Sequence, residues 1–391
     1  MSNKTLVKAY KYRIYPSNSQ IKQFAYHNEL LRNLYNSALE HRITSYKKHN
    51  ISISLYDQLN ELPEIIKDNP EYKSIHSQVL QNCLKRVDDA FQRFFDRCKS
   101  RKPNEKVGFP RFKKFNSYKS FTFPQSGFSI IDKKDTRRGK KHQSKLKLSK
   151  IGEVKISFHR DILGKIKTCT IKKEKTGKWF VTLVAEYSPI PLEKTGKNIG
   201  LDRNLLNYLT DDQGNVIENP RFAKQEQKEL AKVNRKLSKT EKKSADREHR
   251  KKIVQRVNER IVNKRENFAH QESAKLVKEN DVLCIEKLSV KKMMENAEHN
   301  NISRSIADVS WSRFALNMIY KAENAGRLLV QINPAYTSQM CSKCFKLKEM
   351  ALDERIYRCE RASCMNVMDR DQNAAVNILR LGLQSVNLTE L

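Results

Sequence analysis

Four cysteines between residues 341 and 364 constrain this chain more than any other feature it carries, because they must answer for one another. Cys341-Ser-Lys-Cys344 and Cys359-Glu-Arg-Ala-Ser-Cys364 bracket an arm running from 345 to 358. Two close thiol pairs on such an arm supply the four ligands of a tetrahedral zinc ion. The first pair has the usual knuckle spacing; the second holds two more residues, within the range zinc pairs use. Four thiolates close the coordination shell, so a single zinc is expected, structural and not catalytic. Cys83, Cys98, Cys169 and Cys284 are scattered and read as small hydrophobes.

The charge balance points to the partner. Against 44 Asp+Glu stand 77 Lys+Arg, a formal charge of +33. Such a chain repels itself when compact, and a polyanion relieves the repulsion. Nucleic acid fits, since each neutralised phosphate also releases a counterion. Hydrophobic residues make up 38% of the chain, enough for a globular protein. A membrane role is not expected: no apolar run is long enough to span a bilayer, and the first residues lack the apolar centre of a signal peptide. The expected compartment is the cytoplasm, where thiols stay reduced and the cysteines are not paired as disulfides.

Along the chain, residues 5 to 15 alternate apolar and polar positions and read as a strand ended by Pro16. Ser17 or Ser19 can cap a following helix that carries Ile21, Phe24, Leu31, Leu34 and Leu39 at helical spacing. A second helix is expected from about 77 to 98, with Val79, Leu80, Leu84, Val87, Phe91, Phe94 and Phe95 on one stripe. The basic segment 99 to 119 reads as a loop carrying phosphate contacts. Short strands follow at 120–123, 128–131, 145–148 and 154–158, then a hairpin, 168–173 with 179–187, turning through Lys175 to Lys178. Together with the first strand they suggest a β-barrel-like module, with a boundary at 189 to 195. Beyond it the pattern is strand (197–203), strand (207–210), and a basic helical stretch (222–280) broken near 238–246. A buried strand (282–285), a helix (312–325), a strand (327–332) and a last helix (371–381) complete it. Strands alternating with helices imply an α/β sheet.

Three acids stand out within that second half. Two-metal nucleases need carboxylates that converge from distant parts of the chain, because the ions lie about 4 Å apart and are ligated from several directions. Asp202 shares a strand face with Gly200, whose missing side chain leaves room for metal or a phosphate backbone. Glu286 ends the apolar strand 282–285, where a charge is costly unless partnered. In Asp369-Arg370-Asp371-Gln372-Asn373-Ala374-Ala375, a helix starting there puts Asp371 on one face with Ala374, Ala375 and Ile378. The two alanines would let that face approach a sheet closely, and Asp369 is better placed as its cap.

The chain resembles the TnpB, or OrfB-type, family of insertion-sequence transposons, relatives of the compact type V CRISPR nucleases. The resemblance rests on Tyr-Lys-Tyr-Arg-Ile-Tyr-Pro at 10–16, Gly-Phe-Pro-Arg-Phe-Lys at 108–113 and Ile-Gly-Leu-Asp at 199–202. It continues through Ile-Glu-Lys-Leu at 285–288, Asn-Pro-Ala-Tyr-Thr-Ser-Gln at 333–339 and the Asp-Arg-Asp-Gln-Asn-Ala-Ala run at 369–375. It implies an RNA-guided endonuclease that cuts double-stranded DNA beside a short transposon-adjacent motif, with a guide RNA from the transposon end and the protein a monomer in the ribonucleoprotein. It implies Asp202, Glu286 and Asp371 as Mg²⁺ ligands, two ions being expected. The implied fold class is α+β and multi-domain: a wedge-like β-barrel (1–16 and 106–189) with an inserted helical recognition lobe (17–105). An RNase H/RuvC-like nuclease domain (196–336 and 366–391) would then carry the zinc ribbon (337–365) as an insert. Tyr56, Gln81 and Thr122 fall where similar proteins read the adjacent motif. Asp202-Arg203-Asn204 departs from the Asp-Leu-Gly or Asp-Val-Gly of many relatives; the bulkier Arg203 either contacts nucleic acid or is simply accommodated.

Rival readings are a nuclease-inactive RNA-guided DNA-binding regulator on the same fold and an unguided RuvC-type nuclease. The first is disfavoured because all three acids are present. A DNA-joining transposase of the His-hydrophobe-His type is disfavoured because no His-x-His occurs. A zinc-ribbon DNA-binding protein without chemistry leaves the acids unexplained.

Overall fold

In the computed structural model, residues 5–101, 106–131, 144–297, 300–351 and 353–387 are described. They fall into two compact units, Met1–Ser188 and Pro189–Leu391.

The first unit opens with β1 (Leu6–Tyr15), whose alternation buries Tyr10, Tyr12 and Ile14 and turns Lys11 and Tyr15 outward. Helix α1 (Asn18–His49) starts at Ser17, whose hydroxyl accepts from the Gln20 backbone while the Gln20 side chain returns to Ser17, a reciprocal cap that satisfies two otherwise open N–H groups. After α2 (Leu55–Asp68) and a short 3₁₀ turn at Pro70–Ser74 comes α3 (Ser77–Lys99), burying Val79, Leu80, Leu84, Val87 and Phe91. Phe94 is only half-buried and Phe95 exposed, so the apolar stripe runs out of core before the helix ends. Helix α2 answers to no expected element: Pro63 sits inside it and interrupts a pattern that otherwise buries Leu62.

Six strands follow: β2 (Ser120–Phe123), β3 (Phe128–Ile131), β4 (Lys145–Leu148), β5 (Gly152–Ser157), β6 (Lys165–Lys173) and β7 (Trp179–Tyr187). With β1 they form one antiparallel sheet in the order β2-β6-β7-β1-β5-β4-β3. The expected barrel is not closed by hydrogen bonds, since β2 and β3 are its two edges. It is nevertheless strongly curled. Flat, seven strands would separate the edges by about 29 Å, yet residues 124 to 127 join β2 to β3 and reach no more than about 18 Å. Phe123 and Phe128 meet across that join at 6.4 Å between ring centroids. The concave face and the helices share one core, in which Phe24 of α1 lies edge-on to Phe121 and Trp179 at 5.6 and 4.8 Å. Part of the basic segment expected as a loop, 102–105, lies outside the described residues; the described remainder carries no helix or strand apart from the end of α3.

The second unit begins with β8 (Asn198–Asp202), β9 (Asn207–Asp211) and β10 (Val216–Glu218), then α4 (Phe222–Gln225), α5 (Gln227–Ser238) and α6 (Ala245–Glu279). The basic helical stretch is interrupted between α5 and α6, where Ser244 caps the second helix through the Arg247 backbone. Next come β11 (Val282–Glu286), α7 (Val290–Glu295), α8 (Asn300–Val309), α9 (Trp311–Ala325) and β12 (Leu328–Ile332). The short hairpin β13 (Ile356–Arg358) and β14 (Val367–Asp369) leads into α10 (Arg370–Asn387), longer than the sequence pattern suggests.

The sheet order is β10-β9-β8-β11-β12, with β8, β11 and β12 parallel. Leu201, Leu283 and Ile285 point into a core shared with α6 and α9. The alternate positions, Gly200 and Cys284, are paired in register and face α10. A Cβ on Gly200 would overlap the Ala375 carbonyl oxygen and come within 2.7 Å of Leu379 Cβ. The space beside Asp202 is therefore filled by the backbone of α10, and not by metal or phosphate as the sequence suggested. Ala374 and Ala375 are buried against the sheet as their size allows. Gly200→Ala should lower stability by about 1–3 kcal/mol, the usual cost of overpacking, read from the denaturant midpoint; an unchanged midpoint would mean α10 is not seated there.

Candidate active site and metal centre

Parallel pairing of β8 and β11 fixes two of the three acids. Leu201 pairs with Ile285, so one step further on Asp202 and Glu286 end neighbouring strands on the face that α10 covers. That edge is where open α/β sheets place their ligands, outside the carboxyl ends of parallel strands. Helix α10 brings the third. Asp369 accepts from the Asp371 and Gln372 backbone N–H groups at 2.9 and 3.1 Å, capping the helix as expected and leaving Asp371 in its first turn. All three acids are buried.

Two residues to which the sequence assigns no role of their own hold them. Asn204 Oδ1 accepts from Asn207 N at 2.7 Å, which fixes the amide; its Nδ2 then donates to Asp371 Oδ2 at 3.0 Å and approaches Asp202 Oδ2 at 3.4 Å. Thr337, from the Asn-Pro-Ala-Tyr-Thr-Ser-Gln segment, donates its hydroxyl to Glu286 Oε1 at 2.7 Å. Neither could be recognised before its partner was placed, since a lone Asn or Thr in a loop ordinarily serves the local backbone. Arg203 is buried too, its guanidinium donating to the Glu286 main-chain carbonyl. A nucleic-acid contact by this residue is therefore ruled out in this arrangement.

Burial dominates the electrostatics of the site. Burial, followed by repulsion from Glu286 and Asp371, pushes Asp202 up to about 8. Burial raises Glu286 against the opposing Thr337 hydrogen bond and Arg203 charge. Asp371 is raised by burial and by Asp369. Hard oxygen donors that resist ionising together are suited to a divalent cation such as Mg²⁺.

Cys341, Cys344, Cys359 and Cys364 bring their sulfurs within 4.8 Å of one another, the only group of three or more metal-ligating side chains among the described residues to do so. Cys341 and Cys364 Sγ stand 3.8 Å apart, and Cys344 and Cys359 Sγ 3.4 Å. A tetrahedron with Zn–S bonds of about 2.3 Å has edges of about 3.8 Å, so the set fits one zinc ion. The segment bearing the first pair is tied to α10. Asn373 accepts from Ser342 N at 2.9 Å and donates to the Met340 carbonyl at 2.8 Å. Asn377 donates to the Thr337 carbonyl at 2.9 Å, and Arg380 to the Ser342 carbonyl at 3.0 Å.

In the first unit, Tyr56 on α2 is 76% exposed, and Gln81 on α3 is also exposed. Thr122 on β2 is half-buried, its hydroxyl engaged by Arg86 and Thr170, each at 2.9 Å. No helix among the described residues is long and apolar enough to cross a membrane.

Three family models match. One described as "Probable transposase" covers residues 180–297, one described as "Cas12f1-like, TNB domain" covers 311–378, and a "Helix-turn-helix domain" covers 2–50. In this chain the last segment forms β1 and the single long helix α1. A putative RNA-guided DNA endonuclease of Streptomyces pristinaespiralis is 30% identical, covering 96% of this chain and 89% of its own length. The putative RNA-guided DNA endonuclease InsQ of Escherichia coli (strain K12) is 27% identical over 96% of this chain and 92% of its own. The mini-RNA-guided endonuclease CRISPR-Cas phi3 shares the fold, with a TM-score of 0.58 at 9% identity, covering 97% of this chain and 93% of that one. With 30% identity to a relative over 96% of this chain and the transposase model over residues 180–297, the chain belongs to the TnpB, or OrfB-type, family of insertion-sequence transposons.

Proposed function

We propose that this chain is a transposon-encoded, RNA-guided DNA endonuclease that hydrolyses double-stranded DNA beside a short transposon-adjacent motif. The observation that carries the reading is the meeting of Asp202, Glu286 and Asp371 at one sheet edge from three distant segments. We assign these three as Mg²⁺ ligands on a RuvC-like nuclease domain (196–336 and 366–391). Bound divalent ions would supply charge stabilisation to the entering and leaving oxygens of the phosphodiester. The protein's part is to hold the acids for them: Asn204 clips Asp202 to Asp371, and Thr337 orients Glu286. Held this way the ligands need no rearrangement when the scissile phosphate arrives, which is how preorganised sites lower a barrier.

The cysteine set is assigned one structural zinc in a ribbon insert (337–365). The wedge (1–16 and 106–189) and recognition lobe (17–105) are assigned to guide RNA and motif binding. Within them Tyr56 and Gln81 offer exposed side chains to a DNA duplex, whereas the Thr122 hydroxyl already accepts from Arg86 and shares a hydrogen bond with Thr170. The excess positive charge, notably on α5 and α6, suits an RNA scaffold and an RNA–DNA heteroduplex, read by shape and backbone while base pairing supplies the sequence. A monomer bound to one RNA is the expected assembly, acting on DNA in the cytoplasm.

Expressed with its own genomic flank, the protein should copurify with one discrete RNA that ends in sequence from beyond the transposon boundary. Sequencing of the bound RNA checks this. A heterogeneous pool that mirrors the cell's total RNA would favour the unguided nuclease instead.

A further inference from the structure

Arg203 follows the first acid of the site and precedes the asparagine that clips two of them together, yet its side chain goes the other way, inward. It is 6% exposed. One terminal nitrogen donates to the Glu286 main-chain carbonyl, and Nε has no hydrogen-bond partner. Arginine keeps its charge in any protein interior, and a buried charge is costly unless opposite charges answer it. The acids of the site lie at both its ends: Asp202 precedes it in the chain, and Glu286 supplies the main-chain carbonyl that its guanidinium holds. Accommodation of a bulky residue does not account for such a position: an apolar side chain would fill the same space without the desolvation cost.

We propose that Arg203 is a positioning residue, a fixed counter-charge behind Asp202 and Glu286 that is in place before any divalent cation binds. The inference rests on the metal-binding reading of the three acids. Its consequence has a definite sign. A permanent positive charge beside a cation site preorganises the empty site but repels the incoming ion, so metal affinity is set lower than three carboxylates alone would give. Removing the charge while keeping a donor for the Glu286 carbonyl should therefore tighten metal binding and make the metal-free site less stable. A purely structural clip predicts the reverse, since losing it would disorder Glu286 and weaken binding.

The test uses the full-length, zinc-loaded protein with Mn²⁺ as probe, binding being read from loss of the free-ion electron paramagnetic resonance signal. Arg203→Gln should bind Mn²⁺ about tenfold more tightly than the parent, the factor expected for one charge removed from near a divalent ion in a well-solvated field. Its thermal midpoint should be lower without Mn²⁺ and should rise more on adding it, as linkage requires of tighter binding to the folded state. Arg203→Lys, which keeps the charge, should restore the parent affinity. Arg203→Met guards against a glutamine-specific effect, and unchanged zinc content in each variant shows that the unit has folded. Equal or weaker Mn²⁺ binding by both neutral variants overturns the proposal. Asp202→Ala in the same assay separates the two claims: if the parent binds no Mn²⁺ that this variant loses, the metal-site reading itself fails, and the role of Arg203 with it.

Discussion

Asp202→Ala, Glu286→Ala and Asp371→Ala should each reduce DNA cleavage by at least about a thousandfold, equivalent to about 4 kcal/mol of transition-state stabilisation, while guide RNA and target DNA remain bound. The separation is expected because the acids lie buried at one sheet edge, whereas nucleic-acid affinity comes from the excess of Lys and Arg over the rest of the chain. Asp369→Ala is the informative neighbour. Its carboxylate caps α10, so its loss should cost about 1 kcal/mol of stability and leave most of the cleavage intact. A protein that cuts normally without Asp371 but not without Asp369 would reverse the assignment. The same site gives a pH dependence. Asp202 is pushed up to about 8, so cation binding must displace a proton from it over much of the neutral range. At limiting Mg²⁺, cleavage should fall as pH drops below about 8, and saturating Mg²⁺ should move that midpoint to lower pH. In the metal-free protein the folded state holds a proton that the unfolded chain has already released above about 4. Stability should therefore fall as pH rises from about 4 to about 8, and the added cation should cancel the slope.

Loss of the thiolate set should be nearly as damaging, through structure and not chemistry. Purified without added metal, the protein should contain about one zinc per chain, and Cys341→Ser or Cys359→Ser should lower that content sharply. Structural zinc contributes on the order of 10 kcal/mol to the folding of small metal-bound units, so the ribbon cannot be expected to survive its removal. The damage should spread along named bonds. Asn373, Asn377 and Arg380 bind backbone groups of 337 to 342, and Thr337 in that segment holds Glu286. Hydrogen exchange should accordingly rise in α10 around Asp371 as well as in the ribbon, and cleavage should drop with it. Full zinc occupancy in either variant would refute the four-cysteine site. Zinc loss with α10 still protected would refute the coupling.

The sequence carried these sites unequally, for physical reasons. The cysteines and the three acids were legible because each is a costly group in a setting that demands a partner: thiols at fixed spacing, a carboxylate at the end of an apolar strand. Asp369 as a cap and the small-residue face of α10 were legible because they depend on local backbone geometry alone. Gly200 was recognised but misread. Its missing side chain makes room for something, and only the packed structure identifies that as the Ala375 carbonyl and Leu379. Asn204 and Thr337 lay in segments that stood out, but their roles could not be read because these depend on partners far away in the chain. For Arg203, a surface contact and a burial pattern look alike until the side chain is placed. Helix α2 was hidden by Pro63. The seven-stranded sheet was read strand by strand, but whether it closed depended on the pairing order, and β2 and β3 at its two edges leave it open.

The central claim is that this fold cuts DNA where an RNA directs it, and exchanging the guide tests it most directly. The protein should be reconstituted with its RNA or with one altered only in the terminal segment that extends beyond the transposon boundary. Each complex is then given both matching duplexes, flanked by the same adjacent motif, in the presence of Mg²⁺. The account predicts that each complex cleaves its own duplex and spares the other, and that Asp371→Ala abolishes both reactions without abolishing binding. Cleavage of both duplexes at equal rates by either complex, or by the protein without RNA, would contradict it.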